Sequence, residues 1–394
     1  MVMHRRMSFL GVLLLGLVLL QGCMSIPTSA VDPERYFKDQ PTSHAETLYG
    51  TPYTGTWAPL FFADFDQIER LMLIDIADDP IYRSIEVQIF LIGGKEEAVV
   101  ITVDRKKRID YYYGSDILLD EKRRESVSTL LDAPNFHKQE VMASLQVLEG
   151  GLSCTASFTD YAGRPIFISI VESRPNTKQT AMLAPVSNQS LHPTSFPLVF
   201  LDTFNMVSRK GTQIELVFDG VVRKPAGFPL IVENRRVFYS RYAADVVVAD
   251  LLIEGVHRIP LHEVASETAE LRDGNATYHL NWERGYPELE KVSFVEGDSS
   301  VSLSFAPALP DLGHMDAQAR AQGKFLLSVN AHPAVIAGTY DIAPSPGGHR
   351  LLLQPSTSWQ PPFMGKKWVS TFLYTAYVEK DRHYVLLDAR WDRI

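Results

Sequence analysis

The chain has 394 residues, of which 45% are hydrophobic and 22% charged, and its formal charge is −9. That balance excludes a disordered chain, which lacks enough apolar residues to bury, and an acidic surface excludes nucleic acid as a partner because phosphate repels it. With two cysteines, Cys23 and Cys154, a structural thiolate metal site is excluded, and no metal or cofactor is expected.

In chain order, the first element is an export signal, residues 1–22. Arg5 and Arg6 make a positive start. Residues 7–20 are apolar, but shorter than the roughly 20 residues of a membrane-spanning helix. The run ends in Leu20-Gln21-Gly22-Cys23. An aliphatic residue, a variable residue and a small residue before Cys resemble the lipobox of bacterial lipoprotein precursors. Gln21 departs mildly, since Ala or Ser is more usual there. The resemblance covers residues 1–24. It implies diacylglycerol on the Cys23 sulfur, cleavage before Cys23, and often a further acyl chain, such as palmitate, on the new amine. One acyl chain binds a bilayer marginally, whereas two or more bind it durably. In such lipoproteins an Asp after the Cys favours the inner membrane. Met24 at that place points to the outer membrane, with the body facing the periplasm. The membrane, reached through acyl chains on Cys23, is thus the first expected partner. Loss of Arg5 and Arg6 moves the formal charge from −9 to −11. Cys154 is then left without a disulfide partner.

Residues 23–54 are polar and turn-rich and read as a flexible tether. Beyond them the hydrophobic period is two. Ile85, Val87 and Ile89 alternate with Glu86 and Gln88, and Gly93-Gly94 turns the chain back. Leu152, Cys154, Ala156 and Phe158 share one face of a strand, so Cys154 reads as a buried, inert thiol. Val301, Leu303 and Phe305 alternate with Ser300, Ser302 and Ser304. Helices are predicted only as short pieces, over residues 120–131, 262–272 and 315–322. Residues 107–116 and 235–245 echo each other, which suggests related halves. The expected fold is mainly β, with antiparallel sheets forming two barrel-like or sandwich-like domains over residues 55–185 and 186–394.

Catalytic motifs are missing: there is no Gly-x-Ser-x-Gly elbow, P-loop or dinucleotide fingerprint. His262-Glu263 opens like a zinc-protease helix, but Ser266 stands where the second His is needed. Glu254, His257 and His262 are close in sequence and read as a solvated connection rather than an acid/base cluster. No catalytic residue is assigned. Aromatic side chains recur on the strands, and Tyr239, Tyr242, Tyr278 and Trp282 are the candidate lining of an apolar cavity. A curled antiparallel sheet of this size can enclose such a cavity. The expected function is noncatalytic binding of an apolar or amphipathic small molecule, lipocalin-like by analogy of architecture alone. The alternatives are an envelope enzyme acting on an apolar substrate and a noncatalytic scaffold of an envelope complex.

The lipobox generates the first prediction. Cys23→Ser removes the sulfur that takes the lipid, so labelled fatty acid enters the wild-type protein only and the variant keeps its signal. Equal label in both proteins ends the lipoprotein reading.

Overall fold

The computed structural model describes residues 31–44, 48–114, 135–148, 151–173, 180–184, 193–232, 234–358 and 368–394. The lipobox with Cys23 and the helix expected at residues 120–131 lie outside the described residues. About 67% of the chain is strand and 3% helix, so the protein is mainly β and its sheets are antiparallel. The exception is a parallel pair between Ile109–Tyr113 and Asn135–Lys138.

The C-terminal part is one ten-stranded meander. From Glu270–Asp273 to Tyr384–Arg393 each strand pairs with the next, and Gly255–Pro260 adds to the far edge beside Tyr384–Arg393. Alternation is the cause. Val301, Leu303 and Phe305 face the core, while Ser300, Ser302 and Ser304 stay on the wetter face. Turns are tight, as at Gly297, whose φ of 57° suits glycine. Ile259 on one edge strand and Ala276 and Tyr278 near the other join one core, so the sheet curls into a half-barrel. Its concave side is filled by Trp57, Ala58, Leu60 and Phe61, and by Phe196, Leu198, Val247 and Leu251.

The remaining strands make two more sheets. Met142–Leu148, Gly151–Thr159, Pro165–Glu172, Thr212–Phe218 and Val221–Arg223 form a five-stranded sheet. Its inner face, with Cys154 fully buried among Ile168, Ile170 and Leu216, packs on one face of an 11-stranded sheet through Ile85, Val87 and Tyr242. The other face of the 11-stranded sheet rolls over a second core that includes Phe90, Ile101, Phe204 and Val237. Phe90 therefore points away from Ile85 and Val87 yet is buried.

A boundary near residue 185 does not separate the sheets. Phe196–Ser208, Arg235–Ala243 and Asp245–Leu251 sit in the 11-stranded sheet beside Ala63–Phe65 and Ile68–Asp75. Without Arg235–Ala243, Ile68–Asp75 would leave a raw edge of unpaired backbone groups. The chain crosses into the half-barrel between Leu251 and Gly255 instead. The two echoing segments, Ile109–Tyr113 and Arg235–Ala243, lie in the same sheet and are not equivalent strands of two domains.

Other local expectations change for physical reasons. The described residues of the expected tether form a strap on the half-barrel. Val31 is buried with Leu326, Ala334 and Ala337, and Tyr36 donates its hydroxyl to the Gly338 carbonyl at 2.9 Å. Apolar side chains at Val31, Tyr36, Phe37, Leu48 and Tyr49 give this strap surface to bury. Its short helix, Pro33–Phe37, is capped by the Asp32 carboxylate. The helix expected over residues 262–272 is a strand, a turn and a second strand, His262–Glu263 and Glu270–Asp273. Glu267 in the turn has a φ of 70°, which no helix accommodates. Residues 316–319 make a turn on Asp316, whose carboxylate accepts from the Gln318 amide.

Two glycines make room for large rings between neighbouring strands of the half-barrel. Gly338 pairs with Phe325, and Gly323 with Tyr340, across neighbouring strands. Each ring lies over the opposite glycine: a Cβ on Gly338 would sit 2.3 Å from the Phe325 ring and 2.5 Å from the Gln354 carbonyl oxygen. Gly338→Val is expected to destabilise the protein by about 3 kcal/mol through overpacking. A urea titration checks this as a lower midpoint at unchanged slope, and an unchanged midpoint refutes the ring-over-glycine account.

Candidate functional site

At one end of the half-barrel a groove of about 600 Å³ opens between residues 312–318 and residues 344–349. Leu312, Met315 and Val378 give it an apolar floor, and Lys380 lines its wall with the ammonium turned toward buried His314. The opposite rim is the hairpin turn Pro346-Gly347. Gly348 has no room for a side chain there, since a Cβ would lie 2.1 Å from the Val378 carbonyl oxygen. The rim thus lies flush against the strand Phe372–Lys380. Val378 and Lys380 share one face of this strand and Tyr377 and Glu379 the other, so Lys380 turns inward by alternation.

Behind Lys380 lies a buried polar cluster. The turn Pro310-Asp311-Leu312-Gly313-His314 ties itself through Asp311: Oδ1 accepts from the Gly313 amide at 3.1 Å, and the Asp311 carbonyl accepts from the His314 amide at 3.0 Å. Oδ2 is left for His314 Nδ1, 2.6 Å away. Asp311 and His314 are both buried. Nδ1 facing a carboxylate carries the proton, which leaves Nε2 an acceptor. Lys380 Nζ donates to it from 2.6 Å, and Thr54 Oγ1 lies 2.8 Å from the same nitrogen. Burial holds the Lys380 ammonium below its usual range, and the Asp311 carboxylate opposes that shift.

The strap completes the cluster. Tyr49 stacks on Tyr286 with ring centroids 3.8 Å apart and donates its hydroxyl to Glu288 Oε1 at 2.9 Å. The same hydroxyl accepts from the Asp311 amide at 3.2 Å. Burial, followed by the adjacent Glu288 charge, pushes the Tyr49 phenol upward, so it stays a donor. Glu288 is 1% exposed, and its Oε2 has no hydrogen-bond partner. Burial raises its carboxyl to about 7, partly offset by the Tyr49 bond. His349, beside the groove, is held below its usual range by burial and bonds the Asp316 carbonyl at 3.0 Å.

The four aromatics expected to line a cavity are divided among three cores. Tyr239 packs edge-on to Phe228 beside the outer core of the 11-stranded sheet. Tyr242 is buried between the 11-stranded and five-stranded sheets. Tyr278 and Trp282 reach the half-barrel: Tyr278 is fully inside, bonding the Phe61 carbonyl, and Trp282 donates to the Thr268 carbonyl at 2.8 Å. They do not line one common space, because strand register sends residues 239 and 242 to opposite faces. His257 bonds the Ile253 carbonyl, His262 faces Asp273 at 3.7 Å, and neither contacts Glu254 among the described residues. Burial pushes the Cys154 thiol up to about 12, which keeps it protonated and unreactive.

Inside the half-barrel the free space is small. One void of about 30 Å³ is lined wholly by apolar side chains, among them Phe61, Phe196, Leu303 and Trp391. A second, of about 10 Å³, lies between Phe61 and Leu312. Each has room for about one or two waters.

Glu288 makes stability depend on pH. Its folded value of about 7 lies above the ordinary 4.5, so the fold favours the protonated form. The stability due to this group is present below pH 4.5, declines as pH rises toward 7, and is lost above it, by at most about 3 kcal/mol. Glu288→Gln keeps the acceptor for Tyr49 and removes the charge. Unfolding measured at pH 5 and pH 8 is expected to show the variant gaining on wild type at pH 8 only. A pH-independent difference contradicts this assignment.

No protein-family model, curated protein or solved structure matches this chain.

Proposed function

We propose that this chain is a lipid-anchored bacterial envelope protein that binds an amphipathic molecule in the groove without chemically converting it. The address rests on Leu20-Gln21-Gly22-Cys23. The binding role rests on one observation: a groove of about 600 Å³ that joins an apolar floor to the single ammonium of Lys380. Small-molecule sites occupy about 300–1,000 Å³, apolar for the most part with a few placed polar groups. The voids of about 30 and 10 Å³ inside the half-barrel are too small to serve as a preformed ligand cavity.

The arrangement of Thr54, His314 and Asp311 has the order hydroxyl, imidazole, carboxylate, which in hydrolases activates a nucleophile. Here Lys380 already occupies Nε2. A cation at that nitrogen opposes the imidazolium that general-base catalysis must form. The cluster therefore serves to hold Lys380 at the groove wall and the strap in place.

A second reading, a scaffold in an envelope complex, has its own support. Met142, Phe167, Val217 and Val222 follow one another across the outer face of the five-stranded sheet, with Ser157 between the first two. Met142 is 62% and Val222 69% exposed. Such a charge-poor apolar row suits the centre of a protein interface.

Photocrosslinking separates the two readings. The full lipidated protein in nanodiscs is irradiated with a fatty acid that carries a diazirine next to its carboxylate. Label is expected on residues 312–318 and 344–349, displaceable by excess unlabelled fatty acid. Lys380→Met is expected to lower it about tenfold, the value of one charge-assisted hydrogen bond. Undisplaceable label spread over the surface removes the groove reading. Protein crosslinks through residues 142–171 in cell envelopes then favour the scaffold.

A further inference from the structure

Three spaces follow one another along the concave side of the half-barrel. The groove and the void of about 10 Å³ share Leu312, Gly313 and Val378 as walls. That void and the apolar void of about 30 Å³ share Phe61. Phe61 is 2% exposed and is the wall that the two voids share, so a path from Lys380 into the core would pass its side chain. Beyond the groove the path meets no charged wall except Asp311, near its start. Leu289, Leu309 and Val385 border the middle, and Leu303, Leu327, Ile336 and Leu353 the far end.

The backbone that carries Phe61 is built differently from the rest of the core. Residues 58–62 lie between the strands Thr56–Trp57 and Ala63–Phe65 and pair with neither neighbour as a strand. Pro59 contributes no amide hydrogen. The segment is fastened instead by its carbonyls: Phe61 accepts from the Tyr278 hydroxyl and Phe62 from the Leu252 amide at 3.1 Å. Rotation of the Phe61 side chain breaks neither bond. An alkyl chain that takes its place restores the apolar contacts that the surrounding core loses when the ring moves.

We propose that the interior of the half-barrel is the tail site for a single-chain anionic amphiphile, with its headgroup at Lys380, its alkyl chain running past Leu312 and Val378, and Phe61 as the gate that fills the channel when it is empty. This rests on the groove reading above and adds the direction and depth of the bound chain. Charge complementarity selects an anion at Lys380, and the narrow apolar path selects one unbranched chain over a two-chain lipid.

The test uses two photoactivatable fatty acids on the full protein in nanodiscs, one with the diazirine beside the carboxylate and one with it at the tail end. The tail-end probe is expected to label residues 57–62, Leu289 or Leu309, displaceably, while the head-end probe labels the groove. Phe61→Ala is expected to raise tail-end labelling several-fold and Phe61→Trp to lower it, with head-end labelling less affected. Phe61→Leu serves in place of the alanine variant if that protein does not fold, and the wild-type label positions stand without either. If both probes label only the groove, the tail lies outside and the interior site is overturned while the groove reading survives. If neither labels displaceably, both readings fall. Displacement by fatty acid but not by lysophosphatidate assigns a carboxylate head, and the reverse assigns a phosphate head.

Discussion

A curled antiparallel sheet has one apolar face too many, and the way this chain covers that face organises the rest of the molecule. The ten-stranded meander turns Phe294, Leu303, Phe325, Leu353 and Trp391 inward along with many similar side chains. A closed barrel would bury them by meeting its own other edge. This half-barrel stays open and recruits other parts of the chain: residues 57–63 run through its hollow, and the ends of Phe196–Ser208 and Asp245–Leu251 lean onto it. The 11-stranded sheet is thereby joined to the half-barrel by a shared core. At around 25 cal/mol per Å² of buried apolar surface, covering the concave face is the dominant favourable term in this part of the fold.

The groove is what remains where that filling stops. Its floor residues, Leu312 and Val378, are core side chains at the end of the hollow, and Lys380 is the next inward position after Val378 on the same strand. A lysine at the end of a buried row needs its stem packed and its ammonium partnered. His314 provides the partner, held in turn by Asp311, while Tyr49 and Thr54 of the strap close the cluster from the other side. Site and strap are thus one construction. The buried carboxyl of Glu288 beneath Tyr49 ties the same corner to pH.

Much of the fold was legible because strand alternation is a local signal. The inward face of residues 301–305 and the burial of Cys154 follow from counting every second residue. Partnership between distant strands leaves no such trace: nothing near Ile68–Asp75 announces Arg235–Ala243 as its neighbour, so a boundary near residue 185 looked natural. The strap reads as a tether in the sequence because its prolines and polar residues outnumber Val31, Leu48 and Tyr49, the few side chains that dock it. The polar cluster was invisible for the same reason. Asp311 and His314 are three residues apart, but Thr54 and Lys380 reach them only through the fold. Tyr239 and Tyr242 illustrate the limit from the other side, since their aromatic character was plain and their destinations, two different cores, were not.

The strap also bears on the order in which the molecule assembles. Tyr49 bonds Glu288 across 239 residues of sequence, and Tyr36 bonds Gly338 across 302. Contacts of such separation form late, because a long loop must close before they contribute any stability. A chain that leaves its ribosome or a translocation pore N-terminus first exposes residues 31–63 long before the half-barrel that receives them exists. Until the strands of the half-barrel have emerged, Trp57 and Phe61 lack the Tyr278 and Phe305 rings against which they pack. A segment made well before the half-barrel is thus among the last to dock, and during that interval it is open to chaperones and proteases.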